Sequence, residues 1–409
     1  MLNQIKEYYK DPFYRNSVAL ILNSAFTAIF GLLFWIAAAR TMPAKDIGLA
    51  IAAISAATLI LGFSRLGMDE GLVRYLPESK NKHGLYSSVV GVTLALAIAL
   101  ATIFLATVKI ISPALGFLRV GWFLPMFFAY ITITSIYSLQ NVGMIAIRRA
   151  DLSFMQNLFL GLRIPILLLI TFLDVFGVFT AIVTAFGISI LFGSYILEKH
   201  GLSITRDYDI TALRKMLRFS LGNYVASIFM MAPITVIPLI IVNTLGAEKN
   251  AYFYMAYSIA GILSMIPYGI STSLFVEGSH SLPLKENVIK SVKLTILLLV
   301  PALVFIYLFG NKLLLLFSKE YSEQSFEMLQ LLAVSSIFSA LTSIYISIKK
   351  IQKDIRMVNY VNFSLTIMII GFGYVFLSKY GLLGLGYAWL GANVAVSLFV
   401  VRMFLWRKR

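Results

Sequence analysis

One charged residue in this 409-residue chain stands where charge is costly. Arg163 falls near the middle of the apolar run LFLGLRIPILL (Leu158–Leu168). If that run crosses a membrane, a central Arg costs about 2.5–3.5 kcal/mol on insertion scales, so it must face a cavity or a polar partner rather than lipid. A guanidinium keeps its charge at any physiological pH and binds phosphate through two parallel hydrogen bonds. The functional reading is therefore a phosphate contact inside a cavity. The plainer alternative is that the span starts later and Arg163 snorkels to the inner interface. Pro165, two residues on, would free backbone carbonyls locally.

No other residues form a catalytic constellation. His83, His200 and His280 all fall in polar loops and lack metal-ligand spacing, and the chain has no cysteine. Thiolate chemistry, disulfides and Cys-ligated metals are therefore excluded. No Walker A loop occurs. Adjacent Asp69 and Glu70 sit at the end of an apolar run and read as a solvated loop rather than an acid/base pair. The expectation is a protein that is not an enzyme and needs neither metal nor cofactor.

The elements that must hold Arg163 are set by composition. The chain is 59% hydrophobic and 13% charged, against about a quarter charged in soluble proteins. That is an all-α polytopic membrane protein. At about 20 apolar residues per span, spans fall near 17–39, 47–68, 86–108, 120–139, 153–173, 175–197, 219–245, 251–276, 289–309, 326–348, 358–378 and 382–404. The run 17–39 is too long for a cleavable leader and reads as a span. Twelve spans make two six-helix bundles, 1–197 and 219–409, with a cytosolic amphipathic linker at 198–218 between them. In that linker Asp209 or Thr211 would cap a short helix whose Leu213, Met216 and Leu217 share one face on the inner membrane surface.

The net charge of +16 does not point to nucleic acid. Alternate loops and the two termini hold 25 of the 34 Lys and Arg, and the opposite loops hold 8. The positive-inside rule then puts both termini in the cytosol. Arg15, Arg65 and Arg74 cluster near inner span ends, where they serve orientation or give a substrate cavity a basic mouth. Prolines and glycines within spans are candidate bending points or ordinary packing sites. Trp122, Tyr195, Tyr252, Tyr254 and Trp406 fit interface anchors, while Tyr130, Tyr137, Tyr257, Tyr268 and Asn223 are candidates to line a polar cavity.

Thr41–His83 is echoed by Thr244–His280: helix end, short Ala/Lys/acidic loop, new helix, charged exit. Internal repeats of this kind are a plan of secondary transporters, with the substrate between the halves. In that alignment Arg74 pairs with Glu277, which makes the two a possible inner gate of opposite charges.

Several motifs resemble one family. LRFSLGNY (Leu217–Tyr224) and TLGAEKNAYF (Thr244–Phe253) resemble the second-half opening of polysaccharide flippases of the O-antigen type. These belong to the multidrug/oligosaccharidyl-lipid/polysaccharide exporter (MOP) superfamily. ARTMPAKDIG (Ala39–Gly48) resembles that family's first outer loop, GMDEGLVRYLPE (Gly67–Glu78) the end of its second span, and YGLLGLGYAW (Tyr380–Trp389) its last hairpin. The resemblance runs over nearly the whole chain. It departs where the family often carries an acidic residue late in span seven, because PITVIPLIIVN (233–243) has no charge.

The resemblance implies a MATE-like fold in the cell membrane. It implies a flippase moving a polyprenyl-linked oligosaccharide, a polysaccharide precursor with an anionic phosphate head, from the inner to the outer face by alternating access. Partners would be that lipid, membrane lipids and glycan-assembly proteins. The rival within the superfamily is a multidrug cation exporter, which should hold carboxylates inside the bundle. A membrane glycosyltransferase or polymerase would need a sizeable outer loop, and the outer loops here are short.

Overall fold

The computed structural model describes residues 12–279 and 284–406. His280, the lead with Lys6 and Lys10, and the terminal Arg407, Lys408 and Arg409 lie outside the described residues, as do the side chains of Arg15, Asn223 and Trp406. Among the described residues there is no strand.

The helices are α1 Pro12–Thr41, α2 Ala44–Arg65, α3 Met68–Tyr75, α4 Lys82–Ile111, α5 Phe123–Ala146, α6 Ala150–Leu158, α7 Arg163–Leu169 and α8 Asp174–Lys199. They continue as α9 Ile210–Thr244, α10 Ala247–Ser279, α11 Leu284–Leu315 and α12 Lys319–Ile351. The last stretch, Ile355–Trp406, is two helices broken at Gly381, here called α13 (355–380) and α14 (382–406). Gly381 has φ 62° and ψ −148°, a region essentially confined to glycine. Eleven helical stretches among the described residues are long and apolar enough to cross a membrane, and the break at Gly381 divides the last of them in two.

The chain forms two compact units. One comprises everything up to Met42 together with Ala53–Ile228, and the other comprises Pro43–Ala52 with Phe229 onward. Both α2 and α9 therefore pass from one unit into the other in mid-helix.

In the first unit a buried apolar core joins α3, α4, α5, α6 and α8 through Met68, Leu72, Tyr86, Leu139, Leu152 and Leu197. Leu213 and Met216 belong to the same core. The expected linker helix is thus not a separate element on the membrane surface. Asp209 caps the N-terminus of α9 by accepting from the Ala212 N–H at 2.8 Å, and α9 runs unbroken for 35 residues. Its first apolar turn is buried on protein rather than laid on lipid. The strand-like approach to it is tied to α4: the Ser203 N–H donates to His83 Nδ1 at 3.1 Å, and the Thr205 N–H donates to Ser87 Oγ at 2.8 Å. These bonds satisfy backbone groups that no helix covers.

In the second unit the start of α2 lies on α10. A Cβ on Gly48 would stand 1.6 Å from the Ala247 carbonyl oxygen, so only glycine allows this approach. The buried Asn250 side chain then donates to the Gly48 carbonyl at 2.8 Å. Pro233 and Pro238 lie inside α9, Pro267 inside α10 and Pro301 inside α11, each within a continuous helix.

Candidate functional site

Arg163 is the first residue of α7. The span containing it begins at Ala150, so Arg163 lies roughly 20 Å along the helix from that end at 1.5 Å per residue. The helix is interrupted just before it: Phe159–Leu162 is 3₁₀. Pro165 lacks an N–H and its ring crowds the carbonyl four residues back, which tightens this turn. The half-buried Arg163 side chain has its guanidinium carbon 5.0 Å from the centre of the Phe34 ring on α1. Phe34 itself is 1% exposed. A cation over an aromatic face is stabilised by about 0.5–2 kcal/mol. Room for the guanidinium comes from Gly31, one turn before Phe34, whose position would place a Cβ 3.6 Å from Nη2.

Beside Arg163 is a ladder of neutral polar side chains. Tyr137, Gln140 and Asn141 share one face of α5; Ser153, Gln156 and Asn157 share one face of α6. Gln156 Nε2 donates to Gln140 Oε1 at 2.7 Å, and Gln140 Nε2 donates to Ser194 Oγ on α8 at 2.8 Å. Asn141 Nδ2 donates to Gln156 Oε1 at 3.1 Å. At the near end Tyr137 donates to Asn157 Oδ1, and Asn157 Nδ2 donates to Asn23 Oδ1 on α1. Asn157 lies in the helix just before the 3₁₀ segment that leads to Arg163, so this end of the ladder is the one nearer Arg163 along the chain. Gly193 on α8 leaves space for the ladder: a Cβ there would stand 2.3 Å from Gln140 Oε1 and 2.4 Å from Gln156 Nε2. Gln140, Gln156 and Asn157 are all buried. Buried amides whose bonds are made rigidify a span bundle in which water offers no substitute.

Beyond Tyr137, the sequence carries a signal for this ladder. Tyr137, Gln140, Asn141 and Ser153, Gln156, Asn157 repeat the same spacing of i, i+3, i+4 in two successive apolar runs. A polar stripe at helical spacing within a span faces protein rather than lipid.

The remaining basic candidates are placed differently. Arg65 and Asp69 pair at 3.2 Å across the turn from α2 to α3, which gives Asp69 a partner in place of an acid/base role with Glu70. Arg74 lies exposed on α3 with its guanidinium carbon 4.4 Å from the Phe219 ring centre and 5.8 Å from that of Tyr75. Arg15 lies on α1. Glu277 is an exposed residue near the end of α10, in the second unit, whereas Arg74 belongs to the first.

Two aromatic expectations are corrected. Tyr252 is not an interface anchor: it is fully buried, donating to Glu248 Oε1 at 2.8 Å and contacting Glu320. Tyr130 is buried and stacks edge-on with Phe179 at 5.3 Å. Among the described residues no three His, Cys, Asp or Glu side chains converge to hold a metal ion, and no Asp or Glu is fully buried.

The chain matches no protein-family profile. A Shigella flexneri protein provisionally named an O-antigen transporter is 27% identical over 154 residues, which span 37% of each chain. The fold is shared much more widely. A MATE multidrug transporter of the MOP superfamily, solved facing inward, matches with TM-score 0.71 at 17% identity, over 96% of this chain and 97% of its own. The lipid II flippase MurJ, in an inward closed conformation, matches with TM-score 0.69 at 15% identity, over 95% and 87%. A Pyrococcus furiosus MOP-superfamily transporter described as having a binding pocket of reversed polarity matches with TM-score 0.65 at 15% identity, over 98% and 96%.

The protein is thus a multi-span helical membrane protein that shares its fold with these MOP-superfamily proteins. Within that fold its sequence likeness runs, over those 154 residues, to an O-antigen transporter.

Proposed function

We propose that this protein is a flippase that carries a polyprenyl-linked oligosaccharide, a polysaccharide precursor, from the inner to the outer face of the cell membrane by alternating access. Both termini lie in the cytosol. Arg163 contacts the phosphate of the head group, and Arg15, Arg65 and Arg74 form a basic inner mouth. The polyprenyl tail remains in lipid.

One observation carries this reading: the span interior offers a half-buried guanidinium held against Phe34, while no carboxylate among the described residues is fully buried. An anion is attracted there, and a cation is not. That weighs against a multidrug cation exporter, the reading which the MATE-like fold would equally accommodate. Outward movement of an anion is assisted by an inside-negative potential, by about 2.3 kcal/mol per charge per 100 mV. No bound coupling cation is required for that contribution.

The test is complementation in the parent cell with its own gene removed. Arg163→Ala and Arg163→Glu should abolish surface glycan and leave lipid-linked glycan accumulated on the inner face. Arg163→Lys should restore only part of it, because an ammonium lacks the planar fork. Normal surface glycan in Arg163→Glu would remove the phosphate contact, and efflux of cationic drugs driven by protons or sodium would favour the exporter.

A further inference from the structure

The second unit contains a cleft of its own. It lies among α9, α10, α12 and α13, has a volume of about 210 Å³, and is bordered by Tyr268, Ser271, Ser343, Ser347, Lys350 and Asn362. The lining sets these hydroxyl and amide groups among the apolar side chains of Met230, Phe275 and Ile346. Ser and Thr within such helices ordinarily donate back to a carbonyl one turn earlier. Thr272 at the margin does so, to Tyr268 O at 2.9 Å. Ser347 and Ser271 do not follow that pattern. Ser347 Oγ crosses to another helix and donates to the Ser271 carbonyl at 2.7 Å. Ser271 Oγ is buried and has no hydrogen-bond partner among the described residues. Asn362 is only 8% exposed, and an amide so placed has donors and an acceptor to satisfy. Tyr268, by contrast, is 65% exposed and presents a ring beside these groups. Lys350, at the end of α12, adds a positive charge at the rim.

We infer that this cleft binds one sugar unit of the transported glycan. The inference rests on the flippase reading and extends it, because it assigns glycan recognition to groups separate from the phosphate contact at Arg163. A pyranose ring presents hydroxyls around its edge and C–H groups on its face. Asn362, Ser271 and Ser343 meet the edge, and Tyr268 covers the face. Lys350 binds a ring hydroxyl or an acidic substituent. The volume suits a single ring: pockets for drug-sized ligands run from roughly 300 to 1,000 Å³. A site built to bond hydroxyls also selects against ligands that lack them, because its own buried groups are then left unpaired.

The experiment measures binding to the full-length chain in lipid nanodiscs by calorimetry. Two probes are used: bare polyprenyl pyrophosphate, and the lipid-linked glycan purified from parent cells that lack this protein. The wild type should bind the glycan-bearing lipid about tenfold more tightly than the bare lipid. Asn362→Leu and Ser343→Val should each remove most of that difference and leave bare-lipid binding unchanged, which also shows that the variants fold. Arg163→Gln should weaken both lipids and keep the difference between them. Equal binding of both lipids by the wild type, or a preference that survives Asn362→Leu and Ser343→Val together, overturns the sugar site while the flippase reading stands. If the wild type binds neither lipid, that reading fails and the sugar site with it.

Discussion

Arg163 and Phe34 lie on different helices, α7 and α1, and the guanidinium carbon of one is 5.0 Å from the ring centre of the other. The pairing sets a charge within a span against an aromatic face, which attracts a cation. Phe34→Leu should keep the fold, since it replaces one buried apolar side chain with another at a cost of a few kcal/mol or less. It should nonetheless lower surface glycan about tenfold in the complementation assay, with Phe34→Tyr close to wild type. Wild-type glycan levels in Phe34→Leu would show that the ring does not position Arg163.

Gly31, one turn before Phe34 on α1, also borders the guanidinium. At 3.6 Å from Nη2 a methyl group is in ordinary contact, so Gly31→Ala should be active. Gly31→Leu should displace Arg163 and remove transport. The protein should still be present in the membrane in normal amount, as read by immunoblot. An active Gly31→Leu variant would mean the guanidinium has room to move that the structure does not give it.

The amide ladder predicts a stability effect. In Gly193→Ala the new methyl would overlap Gln140 Oε1 and Gln156 Nε2, so both amides must shift and lose bonds they cannot replace in the span interior. The cost should be about 2–4 kcal/mol, from overpacking together with unmade buried hydrogen bonds. It should appear as a lower unfolding temperature of the solubilised protein. Gly187→Ala on the same helix, with nothing within 4 Å of the new methyl, should be neutral. Equal unfolding temperatures for the two variants would rule out a tight ladder.

Gly381 divides α13 from α14 with a backbone conformation that other residues adopt only under strain. Gly381→Val should destabilise the protein by about 1–3 kcal/mol, again visible in thermal unfolding. Gly371→Val, where the backbone is helical and no neighbour stands within 4 Å, should have a much smaller effect.

Much of the architecture is legible from residue types alone. Hydropathy is a local property, so long apolar runs and the basic loops between them predict spans directly, and a break such as YGLLGLG within the last apolar stretch marks the turn between α13 and α14. The isolation of Arg163 in an apolar run is likewise visible without coordinates, because an intramembrane charge is costly wherever its partner lies. A cap for α9 at Asp209 or Thr211 is also legible, and the structure selects Asp209.

Partners distant in sequence were not legible. Nothing in the chain's order joins Phe34 to Arg163, or Asn23 to Asn157, since the sequence holds no record of which helix faces meet. The burial of Leu213 and Met216 on protein was hidden for the same reason: an amphipathic turn has one apolar face, whether lipid or a core covers it. The sequence alone determined that this is a helical membrane protein and that one arginine stands isolated in an apolar run. The tertiary structure decided what shelters that arginine, which neutral amides stand beside it, and which hydroxyls of the second unit are left open in a cleft, because those depend on packing between helices that local composition does not encode.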